Sequence, residues 1–142
     1  MPPRPRPSAR DLCPCCGFPT LGGRAFFEIC SLCNWEDDGQ DDHNADEMLG
    51  GPNADYSLSE ARKNFRERGH MYRAGGDSRF LGGDTPEESK VKADLVAIFT
   101  AWKRGAAPTQ EEEDHVLRLE RRLHMSLSNR IMAHEARLRG EA

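Results

Sequence analysis

Apolar positions recur every three or four residues only from Ser57 onward, and the pattern before that point is of another kind. Ser57-Leu58-Ser59-Glu60 has the spacing of a capping box and predicts a short helix ending near Gly69. Thr85-Pro86-Glu87-Glu88 repeats the signal with proline at the first helical position. Val91, Leu95, Ile98, Phe99 and Trp102 then follow on one face, and the helix should stop near Gly105. A third start, Thr109-Gln110-Glu111-Glu112, opens a long stretch with Val116, Leu119, Leu123, Leu127, Ile131 and Leu138 on one side. The last two helices read as a hairpin across Gly105 to Pro108. Ser126, Ser128 and Asn129 weaken the long helix in its middle, so a kink or break is allowed there.

The first half offers strands and turns. The Pro and Arg alternation of residues 1–10 predicts a disordered arm with no packed face. Residues 11–69 carry cysteines, glycines, the short apolar run Ala25-Phe26-Phe27-Glu28-Ile29, an acidic run and the first helix. Residues 70–84, with Gly75-Gly76 and Gly82-Gly83, read as a loop. Residues 85–142 form the hairpin.

Composition sharpens this division. The chain has 142 residues, of which 37% are hydrophobic and 31% charged, too polar for a generous core, so something besides apolar burial must order the cysteine-bearing part. Neither a secretory apolar stretch nor a membrane-length apolar run is present, and a cytoplasmic location is expected. Thiols stay reduced there and five cysteines cannot all pair, which favours a metal site over a disulfide framework.

Cys13-Pro14-Cys15-Cys16-Gly17 and Cys30-Ser31-Leu32-Cys33 supply two Cys-x-x-Cys turns, a common way to present four thiolates to one zinc ion. The predicted ligands are Cys13, Cys16, Cys30 and Cys33. Residues 17–29 leave room for a strand, a Gly22-Gly23 turn and a returning strand, as in a zinc ribbon. Gly17 permits the positive φ that a knuckle turn needs. With four thiolates bound no position remains for water, so the zinc should be structural. Cys15 is the spare sulfur, read as a small side chain packed against the knuckle, with a redox thiol as the alternative. Trp35 should pack with Phe18, Phe26, Phe27 or Ile29 beside the metal, and Phe99 and Trp102 should lie in the core.

These blocks, together with Asn34-Trp35-Glu36-Asp37-Asp38, Gly50-Gly51-Pro52-Asn53 and Ser57-Leu58-Ser59-Glu60-Ala61-Arg62-Lys63-Asn64-Phe65, resemble the bacterial cysteine-rich CPCC family over residues 13–69. Ser31-Leu32 departs from the proline and β-branched residue expected between the second pair of cysteines. The resemblance implies metal binding and no assigned activity, and it does not reach residues 70–142.

The expected whole is a small α+β protein, a zinc-ribbon-like module followed by three helices. From Asp11 to Glu60 there are eleven acids against one base, Arg24, whereas residues 61–142 hold 16 bases and 13 acids. Such a split repels phosphate at the knuckles and orients a charged partner. Glu36, Asp37, Asp38, Asp41 and Asp42 are the candidate surface for docking a basic protein partner, in the manner of an immunity-type or regulatory protein covering the basic surface of a toxin. A calcium loop beginning at Asp42 fails on spacing, since Glu47 stands where glycine is needed and Asn53 where the bidentate glutamate belongs. His43 is a solvated side chain rather than a ligand. The sequence shows no catalytic motif, and no enzymatic activity is expected. A nucleic-acid-binding accessory protein is the competing class, using Arg4, Arg6, Arg10, Arg118, Arg121 and Arg122.

Overall fold

The computed structural model describes residues 3–75 and 83–140. Residues 76–82 of the predicted 70–84 loop, Gly76 and Gly82 included, lie outside the described residues, as do both chain ends. The elements, in order, are a 3-10 turn Pro7–Ala9, strands β1 (Asp11–Leu12) and β2 (Pro19–Leu21), 3-10 turns Asp42–Asn44 and Gly51–Asn53, and helices α1 (Leu58–Arg68), α2 (Pro86–Lys103) and α3 (Gln110–Leu138). This is a small α+β fold with a zinc-ribbon-like N-terminal part. Among the described residues no helix is long and apolar enough to cross a membrane.

Each helix begins where its capping residue sits. The Ser57 side chain accepts from the Glu60 amide, and α1 ends at Gly69 in the left-handed region (φ 83°). Thr85 and Thr109 each form a full capping box with the glutamate three residues on. The apolar stripes of α2 and α3 face each other, burying Val91, Leu95 and Phe99 against Val116, Leu119 and Leu123. Burial of a side chain of this size contributes about 1.5–3 kcal/mol.

No break interrupts α3 at Ser126. That hydroxyl donates to Glu88 Oε2 at 2.7 Å, and Arg130 one turn later donates to Glu88 Oε1 at 2.6 Å and to the Gly83 carbonyl at 2.8 Å. Contacts to the start of α2 thus keep helical a stretch whose intrinsic propensity is poor.

The hydrophobic core runs without interruption from the cysteines through Leu32, Trp35 and Leu58 to the hairpin. Phe18 is the hinge of this packing. Its ring stacks on Phe99 at 6.0 Å and meets Phe65 edge-on at 6.3 Å, while Phe99 and Trp102 lie 5.6 Å apart. Trp35 is fully buried, but three of its four expected neighbours are not available to it: Phe26, Phe27 and Ile29 are exposed.

Two further expectations are corrected. The Pro/Arg arm has a packed face from Pro7 onward: Pro7 is buried, the Ser8 amide and hydroxyl donate to Glu113, and Arg10, buried, pairs with Glu120 at 2.7 Å. Glu113 and Glu120 stand seven residues apart on one face of α3, and that acidic seam binds the arm, which its own composition could not show. The returning strand after Gly22-Gly23 is also absent. β2 pairs antiparallel with β1, ahead of the first knuckle, and the second knuckle closes on its own Ile29–Glu36 bridge.

Candidate metal centre

The two Cys-x-x-Cys turns are copies of one backbone device, offset by 17 residues. In the first, the Gly17 amide donates to the Cys13 carbonyl at 2.8 Å and the Cys13 amide to Phe18 O at 2.9 Å. In the second, the Asn34 amide donates to Cys30 O at 3.0 Å and the Cys30 amide to Trp35 O at 2.9 Å. Gly17 (φ 78°) and Asn34 (φ 70°) take the same left-handed position, one through lacking a Cβ and the other as a residue that tolerates αL. Each turn is then followed by an aromatic residue packed inward, Phe18 or Trp35.

This folding brings together the four predicted sulfurs. The ligand atoms of Cys13, Cys16, Cys30 and Cys33 lie within 4.8 Å of one another, three of these residues are buried and Cys16 is partly so. The closest pairs, Cys13–Cys33 and Cys16–Cys30, are 3.6 Å apart, far beyond the ~2.05 Å of a disulfide. All five cysteines are free thiols. Thr20, buried on β2, places its hydroxyl 3.0 Å from Cys30 Sγ.

The thiols perturb one another. Burial pushes the Cys33 thiol up, and contact with Cys13 and Cys30 pushes Cys16 up. Burial opposes ionisation of Cys30 too, but hydrogen bonds from Cys13, Cys16, Cys33 and Thr20 outweigh it and hold Cys30 well below the usual thiol range. Four convergent thiols, three of them buried, form a site that could bind a metal ion.

Around the centre, supports come from distant parts of the chain. The Met71 amide donates to Cys33 O at 2.8 Å, Arg62 of α1 donates to Pro14 O at 2.8 Å, and Ser31 Oγ lies 3.4 Å from Glu120 of α3. Cys15 is buried and belongs to the core cluster.

The five acids of the candidate docking surface do not share one face. Asp37 is wholly buried, where it accepts from Arg24 Nε at 2.9 Å, the Ala25 amide at 2.7 Å and the Gly39 amide at 3.1 Å. It is a loop clamp and cannot touch a partner, which corrects its predicted role. Asp41 binds the other side of Arg24 at 2.7 Å, and that guanidinium holds its carboxyl below the usual range. Asp42 is exposed and pairs with Arg62 at 2.7 Å. Glu36 and Asp38 are half-buried, and the Glu36 backbone is held on both sides by Asn53, as acceptor at 3.2 Å and donor at 2.7 Å. His43 is exposed.

The basic candidates divide in the same way. Arg10 is buried against Glu120, and Arg4 pairs with Glu28 at 2.7 Å and donates to Thr20 O. Arg118, Arg121 and Arg122 are exposed on α3. Sequence reasoning missed Asn34, Thr20 and the Arg24–Asp37 clamp. Asn34 was discoverable, because it stands four residues after Cys30 as Gly17 does after Cys13.

Residues 12–78 are matched by a family model described as Cysteine-rich CPCC. The match takes in both knuckles, the acidic run and α1, and ends before α2 and α3. No curated protein and no solved structure matches the chain.

Proposed function

We propose that this CPCC-containing chain holds one structural zinc ion and acts by binding another protein rather than by chemistry at the metal. The mutual approach of four sulfurs from two knuckles carries the proposal. Zinc–thiolate bonds of about 2.3 Å in a tetrahedron set sulfurs about 3.8 Å apart. The closest pairs at 3.6 Å and the outer limit of 4.8 Å suit that geometry with little adjustment. An all-thiolate donor set favours zinc over the oxygen-seeking calcium and magnesium. Cys13 and Cys16 would hold the ion from one side and Cys30 and Cys33 from the other. The ion would supply a cross-link and charge neutralisation, with every tetrahedral position taken by sulfur.

The partner-binding reading is supported by the acids that stay outward, Asp38 in part and Asp42, Asp46 and Glu47 fully, within a section of ten net negative charges. A basic protein surface complements them. Protein purified without added zinc should contain one equivalent, and cobalt exchanged into it should show the visible bands of a tetrahedral thiolate site. Substoichiometric metal in a chain whose fold ignores a chelator would falsify the metal assignment. A complex with a basic protein that survives both high salt and Asp38→Asn/Asp42→Asn would overturn the docking reading.

A further inference from the structure

The loop between the two knuckles presents three large apolar side chains to water. Phe26 is 79% exposed, Ile29 57% and Phe27 56%. The backbone beneath them is fixed from several sides. Buried Asp37 holds the Arg24 side chain and the Ala25 amide, the Phe27 amide donates to Asp37 O at 2.9 Å, and the Asp37 amide donates to Glu28 O at 3.0 Å. Ala25 (φ 63°) and Phe27 (φ 61°) both occupy the left-handed region that residues with a Cβ avoid. A Cβ on Gly23 would meet the Phe26 ring at 3.0 Å, and one on Gly39 would meet Ala25 at 3.3 Å. Strain enforced by surrounding structure gathers at contact sites, and exposed apolar groups with a polar rim mark interfaces. Here the rim is acidic. Asp41 and Asp42 line a shallow groove beside Ala25, and Asp37, Asp38, Asp41 and Asp42 set four negative charges against the two positive charges of Arg24 and Arg62.

The outer side of α3 carries the complementary chemistry. Arg118, Arg121, Arg122 and Met125 line a groove of about 580 Å³, with Glu87 of α2 at its edge. Among the described residues, Arg122 reaches Glu87 at 3.4 Å, whereas Arg118 and Arg121 have no acid partner. Met125 is 52% exposed. Arginine and methionine are enriched in protein interfaces, where their stems and thioethers pack against aromatic rings. Two unanswered guanidinia beside a thioether therefore match an acidic cluster with two negative charges in excess beside two phenyl rings.

We infer that the Phe26-Phe27-Ile29 loop of one copy docks head to tail in the Arg118-Arg121-Met125 groove of a second copy of this chain. The inference rests on the reading that the acidic face meets a basic protein surface, and it names that surface as the chain's own. Pairing either face with itself would set like charges opposite each other, so the charges permit only the heterologous contact. Such a contact leaves one groove and one loop free at the two ends, and copies add in series.

Light scattering on the full chain over a concentration series, with metal content measured in each sample, tests this. The average mass should climb above that of the monomer and fall back as salt is added. Phe26→Ser/Ile29→Ser and Arg118→Glu/Arg121→Glu, both confined to exposed side chains, should each remain monomeric with metal and helix content unchanged. Mixed in equal amounts, they should form a two-chain complex and grow no further, because one intact loop and one intact groove remain. A wild-type chain that stays monomeric throughout overturns the inference without recourse to any variant. So does self-association that survives either double substitution, a mixture that fails to pair, or an α3 groove that retains an oligonucleotide while the mass stays constant. In each of these cases full metal content leaves the zinc proposal standing, and its loss from wild type would strike that proposal instead.

Discussion

Asn34 sits at φ 70° with its amide bonded back to Cys30, the place that glycine fills in the first knuckle. A β-branched residue there meets the left-handed penalty in full, so Asn34→Val should cost about 1–2 kcal/mol while Asn34→Gly should be near neutral, read as shifts in the denaturant midpoint. Asp37 presents a different problem at the same scale. It is buried with a guanidinium and two amides converging on it, so Asp37→Ala strands three donors. That substitution should lower stability by about 3 kcal/mol in the same measurement. An unchanged midpoint would mean the clamp does not hold the loop.

Among the elements, the junction of α2 with α3 turns on Glu88. Its carboxylate closes the capping box by accepting from the Thr85 amide at 3.0 Å, and it also accepts from Ser126 and Arg130. One side chain thus starts one helix and fastens another. Glu88→Ala should destabilise the chain by about 3 kcal/mol, well above the ~1 kcal/mol of a lost cap alone; Thr109→Ala at the exposed start of α3 supplies the cap-only comparison. Just beyond α1, His70 is buried, and its Nδ1 accepts from the Tyr72 amide at 3.2 Å. Burial lowers its pKa below the ordinary 6.5, an effect reinforced by Lys92 and Arg68 and opposed by Asp84. Protonation is then easier in the unfolded chain. Its contribution to stability is complete above the unfolded value and is lost as pH falls toward the lowered folded one. Stability measured at about pH 7.5 and about pH 5.5 should differ less in His70→Gln than in wild type.

At the scale of the whole molecule, the cysteine centre and the hairpin are mechanically one object. Phe18 follows the first knuckle and stacks on Phe99, Lys103 of α2 lies 3.4 Å from Gly17 O, and Glu120 of α3 takes both Arg10 and Ser31. Structural zinc contributes about 10–16 kcal/mol of binding free energy, as much as the ~5–15 kcal/mol of net stability that an ordinary domain has. Chelation, or Cys30→Ser, should therefore release the knuckles and loosen α2 and α3 with them. Circular dichroism and hydrogen exchange of the helices should register the loss. Helices that keep their full protection after metal removal would show the two parts to be energetically separate.

The reach of the sequence is clearest where structure depends on neighbours along the chain. The starts of all three helices were legible because the N-cap side chain and the amide it accepts from stand three residues apart, and the gathering of four cysteines because two Cys-x-x-Cys turns have one economical use. The stop at Gly69 was legible for the same local reason. What the tertiary fold alone decided involves groups far apart in sequence. The arm residues Ser8 and Arg10 are ordered by Glu113 and Glu120, more than a hundred positions away, and Ser126 is tolerated in mid-helix because Glu88 lies opposite. Asp37 turned inward while Asp42 stayed out because Arg24 offered one buried clamp, and composition counts both acids alike. Phe26 and Ile29 looked like core and became surface, in a segment that Asp37 pins to the second knuckle through the Ala25 and Phe27 amides. Local hydrogen bonding and metal-ligand chemistry are written in short-range spacing, whereas burial of charge and exposure of apolar groups depend on which distant surface arrives, and only the folded chain selects it.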